Sequence, residues 1–339
     1  MQFTEKIKEL ITISHNAGNR VDYTQGGGGN TSVKLSDNLM AIKASGFKLT
    51  DISENSGYVV VDYKKIAEYY NNVDLKSGAD FEAESLKLAL SSVVALENLP
   101  QNLRPSVEVG FHAILRNYVV HTHSVYANIL TCSKEGKELA EKILKGYDFI
   151  FLPYINPGFT LTVEMNKEIN KYFQKTGRKP KIIFMINHGV VVNADTAEEA
   201  DKIHKELNDK IIKYFKLPAF PQIVLKNAAG RFVSGTSIVN ENLSKANIEA
   251  LEKTALYPDQ LVYLNNTLKL SKDKMQINSK ITYNTTEKEA RVLEETLAAY
   301  LYVLKCVESL KLTLTVMSKK DKDFIDNWES EKYRKAMVK

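Results

Sequence analysis

The sequence predicts a layered α/β fold, a mixed and mainly antiparallel sheet flanked by helices, with a smaller helical region at its C-terminal end. Three observations carry this. Segments of helical periodicity alternate with short runs of apolar and β-branched residues up to about residue 214. The first three strand-like runs follow one another with no helix between them, as antiparallel pairs do. The stretch LPAFPQ, 217–222, then interrupts the pattern with two prolines.

Residues 3–17 have helical periodicity, with Phe3, Ile7, Leu10 and Ile11 on one face. A glycine run follows, then strand-like runs at 31–35, 40–44 and 57–62. Residues 83–95 read as a helix, and Pro105 takes the first turn of another that runs to about 117. A strand at 118–123, a helical return at 124–131 and a helix at 135–144 come next. A short strand at 150–153 precedes the turn at Pro157-Gly158; a helix at 163–175, a long apolar strand at 181–192 and a helix at 196–214 complete this part. The proline-bearing stretch marks a linker and divides the chain into 1–216 and 217–339. Beyond it lie two or three helices and weak strands such as 260–264, with none of the chemical groupings described below. This part is expected to serve packing or oligomerisation.

Composition narrows the function classes. With 339 residues and ordinary apolar and charged fractions, the chain is a globular protein and not a disordered or fibrous one. The balance of 46 basic to 41 acidic residues is a net +5, and the lysines are spread along the chain. A nucleic-acid binder concentrates them on one element, so neither nucleic acid nor a membrane surface is expected as a partner. Cys132 and Cys306 are far apart and in no metal-ligand spacing, which suits a reducing compartment. The N-terminal stretch reads as an amphipathic helix and no run is long and apolar enough to span a bilayer, so a cytoplasmic location is expected.

Six histidines stand at 15, 112, 121, 123, 188 and 204. In VVHTHS, His121 and His123 lie two apart at the end of a strand, so both rings project from one face and make a two-toothed metal grip. His188 interrupts the apolar run IIFMINHGVVV, where an imidazole needs a partner. Three neutral imidazoles around a zinc ion would leave its full charge on the metal and a position open to substrate, which suits Lewis-acid work on a carbonyl. His112 follows Glu108 by four on one helix face and reads as packing beneath such a site; His15 and His204 read as surface or helix-face residues.

The segment TQGGGGNTSVK is the other conspicuous feature. Its four glycines free the backbone to turn and to present N–H groups, including those of Gly28 and Gly29, to an anion. Nucleotide-binding fingerprints fail, because a third glycine would be needed where Thr31 stands. What remains is an anion nest with Asn30, Thr31 and Ser32 as donors, to which KASGFK adds Ser45 and Gly46. A flexible hairpin loop is the competing reading. Glu108, the one acid close in sequence to this chemistry, could move a proton to or from a carbon acid, or simply sit in the first turn of a helix.

Together these residues resemble the class II aldolase/adducin family. The matching motifs are Gly29-Asn30-Thr31-Ser32, Ser45-Gly46, Pro105-Ser106-Val107-Glu108 through His112, His121-Thr122-His123 and His188-Gly189, in order over about 5–215. NPGFTLT, YPDQLVYL at 257–264 and NWESEKYRKAM near the end are similar to the aldolase half of bifunctional rhamnulose-phosphate aldolase/dehydrogenase proteins; the other half has no counterpart here. The resemblance implies zinc, or a similar divalent ion, on His121, His123 and His188, with Glu108 as acid/base. It implies Asn30, Ser45, Gly46 and Ser106 as phosphate or substrate contacts, with Gly29 and Thr31 shaping the loop. Val107 stands where some members carry a second hydroxyl, and no residue can be assigned to protonate the departing aldehyde oxygen. The expected reaction is reversible retro-aldol cleavage of a ketose phosphate to dihydroxyacetone phosphate and an aldehyde, in a homo-oligomer such as a tetramer. A decarboxylase, a pentulose-phosphate 4-epimerase or a non-catalytic adducin-like binding module are the alternatives.

Overall fold

In the computed structural model, residues 3–97, 99–100, 102–242, 251, 253–265, 275–277 and 280–327 are described. Helix α1 (Thr4–Gly18) turns Ile7, Leu10, Ile13 and Ala17 inward. Eight strands follow in one sheet: β1 (Asn30–Lys34), β2 (Leu39–Lys43), β3 (Tyr58–Asp62), β4 (Val93–Val94), β5 (Tyr118–Thr122), β6 (Phe149–Leu152), β7 (Ile182–Met185) and β8 (Gly189–Ala194). Their spatial order is β4-β3-β2-β1-β5-β8-β7-β6. Every neighbouring pair is antiparallel except β6–β7.

Strand alternation decides which face each residue serves. Tyr118 and Val120 of β5 pack with Ile7, Leu10 and Val33 under α1, whereas Val119 packs with Phe111, Met165 and Val191 on the other face. Helices α5 (Val125–Thr131) and α8 (Ala197–Phe215) lie on the α1 side; α2 (Tyr63–Asn72), α3 (Phe81–Ser91), α4 (Val109–Ile114) and α7 (Phe159–Thr176) cover the opposite face. Helix α6 (Gly136–Ile143) packs beside α5. The expected layered, mainly antiparallel architecture is the observed one.

The later part of the chain is helical, as expected, but it also holds a four-stranded antiparallel sheet. Its strands β9 (Leu225–Ala228), β10 (Arg231–Ser234), β11 (Met275–Ile277) and β12 (Ile281–Tyr283) run in the order β11-β12-β10-β9. With it come α9 (Ser237–Asn242), the long α10 (Glu287–Ser309), which packs on α5, and α11 (Lys319–Asn327).

Several expectations need correction. The strand placed at 260–264 is a π-helical turn, Gln260–Asn265. The apolar run 181–192 is not one strand but the hairpin β7–β8, and His188 lies in its turn, beside Asn187 at φ 53°. Pro105 does not open a helix: it bridges Ala44, and α4 begins only after Glu108. Helix α2 was not expected at all; its N-cap Asp62, which accepts from Lys65 N, was the available signal. Of the motif at 327–337, all but Asn327 lies outside the described residues.

Candidate metal centre

The sheet order makes β1, β5 and β8 adjacent, and their directions bring the start of β1, the end of β5 and the β7–β8 turn to one edge. Asn30 pairs across from His121, and Val191 flanks His121 on its other side. His121, His123 and His188 thus converge, all buried, with one ring nitrogen of each within 4.8 Å of the others. The Nε2 atoms of His121 and His123 are 3.1 Å apart. Glu108 reaches over them from the residue before α4. Its Oε2 is 3.4 Å from His121 Nε2, and its Oε1 is 3.4 Å from His188 Nε2.

Burial is the main force on the titration of His121 and His188. It pushes His121 down to about 4 and His188 down to about 3, against the opposing pull of Glu108. Both rings are therefore neutral near pH 7, the form in which imidazole binds a metal. Burial works against the Glu108 charge, but the surrounding imidazoles and a hydrogen bond from Asn30 outweigh it and hold the carboxyl at about 2.

A divalent ion fits this donor set. Donor nitrogens of a tetrahedral ion with bonds of ~2.0–2.1 Å lie ~3.4 Å apart, close to the 3.1 Å between His121 Nε2 and His123 Nε2 and inside the 4.8 Å that bounds all three. Glu108 Oε1 is buried and has no hydrogen-bond partner among the described residues, although it faces a neutral imidazole nitrogen. An orphaned buried carboxylate oxygen is costly, and a cation between it and the rings relieves that cost.

The partners behind the cluster account for several other sequence features. His121 Nδ1 is 3.0 Å from Val190 O, and His123 Nδ1 bonds the Asp259 carboxylate. Asn30 Nδ2 donates to Glu108 Oε2 at 2.7 Å and to Ser106 Oγ at 3.1 Å. His112 sits beneath, 2.7 Å from Ser32 Oγ and bonded through Nε2 to Asn30 Oδ1, so it fixes which way the Asn30 amide points. His204, read as a surface or helix-face residue, lies on the buried face of α8 and bonds Thr122 Oγ1 at 2.8 Å; His15 is also engaged, at 2.8 Å from Ile52 O.

A small cavity of about 30 Å³ opens over the cluster, lined in part by Gly29, Asn30, Ser45, Gly46, Ser106 and His188. Ser45, Ser106 and Val107 also line the adjoining cleft of about 720 Å³ between α3 and the 104–107 segment. Two of the expected anion contacts are placed otherwise. Thr31 points to the opposite face, where its hydroxyl is 2.6 Å from Ser14 Oγ, and the Gly28 N–H is taken by Gln25 O at 2.9 Å. Sequence reasoning missed Lys43. It is buried at the cavity and donates to Phe47 O at 2.6 Å and Gly27 O at 3.3 Å. A lysine closing the otherwise apolar strand LMAIK was the available signal. It missed Asp259 as well.

Comparison with known proteins places the chain in a family. Residues 8–210 match the model of the class II aldolase and adducin N-terminal domain. The uncharacterized oxidoreductase YuxG of Bacillus subtilis (strain 168) is 27% identical over 208 residues, 58% of this chain but only 28% of that protein. The N-terminal class II aldolase domain of a conserved protein from Thermoplasma acidophilum is 25% identical, covers 61% of this chain and 92% of that one, and superposes with a TM-score of 0.51. A sugar-phosphate aldolase from Thermotoga maritima is 15% identical over 63% of this chain and 94% of its own, with a TM-score of 0.44.

Proposed function

The chain belongs to the class II aldolase and adducin family, and on that premise we propose that it is a zinc-dependent carbon–carbon lyase. Its reaction would be the reversible cleavage of a ketose phosphate to dihydroxyacetone phosphate and an aldehyde. The observation that carries the proposal is the buried set of His121, His123 and His188 under the carboxylate of Glu108. A binding module has no use for so costly a cluster. His121, His123 and His188 would hold a divalent ion, which would supply Lewis acidity toward the substrate's carbonyl and hydroxyl oxygens.

The chain's own groups would do the rest. Glu108, steered by the Asn30 amide, holds and returns the proton at the nucleophilic carbon. Ser45, Ser106 and the Lys43 ammonium supply donors and charge for the phosphate, with Gly46 (φ 87°) letting the backbone approach. A cavity of about 30 Å³ holds little more than an ion and a water, so the remainder of a sugar phosphate belongs in the adjoining cleft. Among the described residues no helix is long and apolar enough to cross a membrane. A cytoplasmic homo-oligomer acting on a phosphorylated small molecule completes the reading.

The test is a product screen of zinc-loaded protein over a panel of sugar phosphates, alongside metal analysis of the protein and of His123→Ala. About one metal per chain, lost in the variant, and dihydroxyacetone phosphate among the products are expected. A decarboxylated or epimerised product would replace lyase by one of the related activities. Full metal content in folded His123→Ala would sink the ligand assignment.

A further inference from the structure

We infer that Asp259 is a positioning residue for the metal: its carboxylate takes the Nδ1–H of His123 and thereby holds that ring with its Nε2 lone pair toward the other two imidazoles. The inference rests on the proposal that this cluster binds a divalent ion. It assigns part of the site to the chain beyond residue 217, where sequence reasoning expected only packing or oligomerisation.

The geometry is specific. Asp259 is fully buried, and its Oδ2 meets His123 Nδ1, while His123 Nε2 faces His121 Nε2. An imidazole has one proton to give when neutral, and a carboxylate on Nδ1 decides that the proton sits there. The remaining nitrogen is then a lone-pair donor in the right direction, and the neighbouring negative charge makes it a stronger one. The three histidines differ in this respect. His121 has only the Val190 carbonyl at Nδ1, and His188 Nδ1 has no hydrogen-bond partner among the described residues. His123 alone is backed by a charge.

The glycine run is explained by the close packing around this contact. A Cβ on Gly26 would stand 2.8 Å from Val292 Cγ1, one on Gly27 would stand 2.9 Å from the Tyr263 hydroxyl, and one on Gly28 would overlap Asp259 Oδ2. Gly29, at φ 66°, would bring its Cβ to 2.6 Å from His121 O. Three successive glycines therefore make room for the C-terminal part, and the fourth for the β5 backbone. The Gly26 N–H donates to Glu295 of α10 at 3.0 Å, so the loop is fastened to that part as well. On the far side Asn187, next to His188, donates to Leu256 O at 2.8 Å. The segment 256–259 is thus tied to the His188 turn through Leu256 and lies against the glycine run through Asp259.

The experiment compares cobalt(II) and zinc(II) affinity, by competition against a chromophoric chelator, for the full chain and for Asp259→Asn. The amide keeps the side chain's shape but loses its charge. Metal affinity should fall about 10–100-fold with an altered visible spectrum of bound cobalt, while circular dichroism shows metal-free protein still folded. Unchanged affinity and spectrum would overturn the inference. If Asp259→Asn does not fold, Gly28→Ala, whose Cβ would overlap Asp259 Oδ2 and stand 3.0 Å from His123 Nδ1 and so wedge apart that pair, carries the same expectation and the same overturning result. A wild-type chain that binds neither metal would instead remove the proposed function, and the inference with it.

Discussion

Glu108 is the residue on which chemistry and metal binding can be separated. Its oxygens sit 3.4 Å from two imidazoles, yet the three rings by themselves could hold a metal ion. Glu108→Gln should therefore keep its metal and lose proton exchange at the nucleophilic carbon of dihydroxyacetone phosphate by about 10²–10⁴-fold. Solvent tritium release measures it, and near-normal exchange would assign the proton to another group. His204 makes a different prediction. Burial pushes its pKa from 6.5 down to about 3, so the folded chain binds fewer protons than the unfolded one between those values. Its contribution to stability is complete above about pH 6.5 and is lost as pH falls towards 3. His112, likewise lowered to about 3, acts in the same direction. His204→Gln can still reach Thr122 Oγ1 but cannot titrate, so its melting temperature should decline less steeply with acid than that of the wild type; parallel curves would count against it.

At the scale of elements, the hairpin carrying His188 shows why some of the site was legible and some not. The H-x-H pair could be read because strand alternation fixes its geometry locally. The run 181–192 could not be divided, because both strands are buried on both faces and read as one apolar segment. Pro105 misled for a related reason: proline suits a first helical turn and a bridge to a neighbouring strand equally. Asn187 is the hairpin's hidden signal, since asparagine tolerates the left-handed conformation. It also donates to Leu256 O and to Thr315 O at 3.0 Å. Asn187→Ala should then lose both contacts and strain the turn, a destabilisation of at least about 2 kcal/mol, with weaker metal binding because His188 is adjacent. Urea unfolding reads the first effect; a wild-type midpoint would mean that the strands alone define the turn.

For the whole molecule, the question is whether the boundary expected at 216–217 is also a boundary of folding. The eight-stranded sheet is complete before it and the four-stranded sheet begins after it, so we propose it as a division of chain topology. The core does not respect it. Tyr126, Leu130, Val190, Leu207 and Ile211 belong to the same buried cluster as Tyr257, Leu293, Leu297, Tyr300 and Val303. Sequence could not announce this, because α5 is short and buried throughout, and its partner helix α10 lies some 170 residues on in the same chain. Asp259 escaped for the same reason, lying 136 residues from the histidine it contacts. A fragment of residues 1–216 would uncover the outer face of α5 and the glycine run, and would leave His123 without its carboxylate. At ~25 cal/mol per Å² of apolar surface returned to water, the loss of several such side chains matches the whole stability of an ordinary domain. The fragment should therefore aggregate or unfold without a cooperative transition, and bind metal weakly if at all. A monomeric fragment with a sharp urea transition and full metal affinity would show instead that residues 1–216 fold and build the site alone, with the C-terminal part merely resting on them.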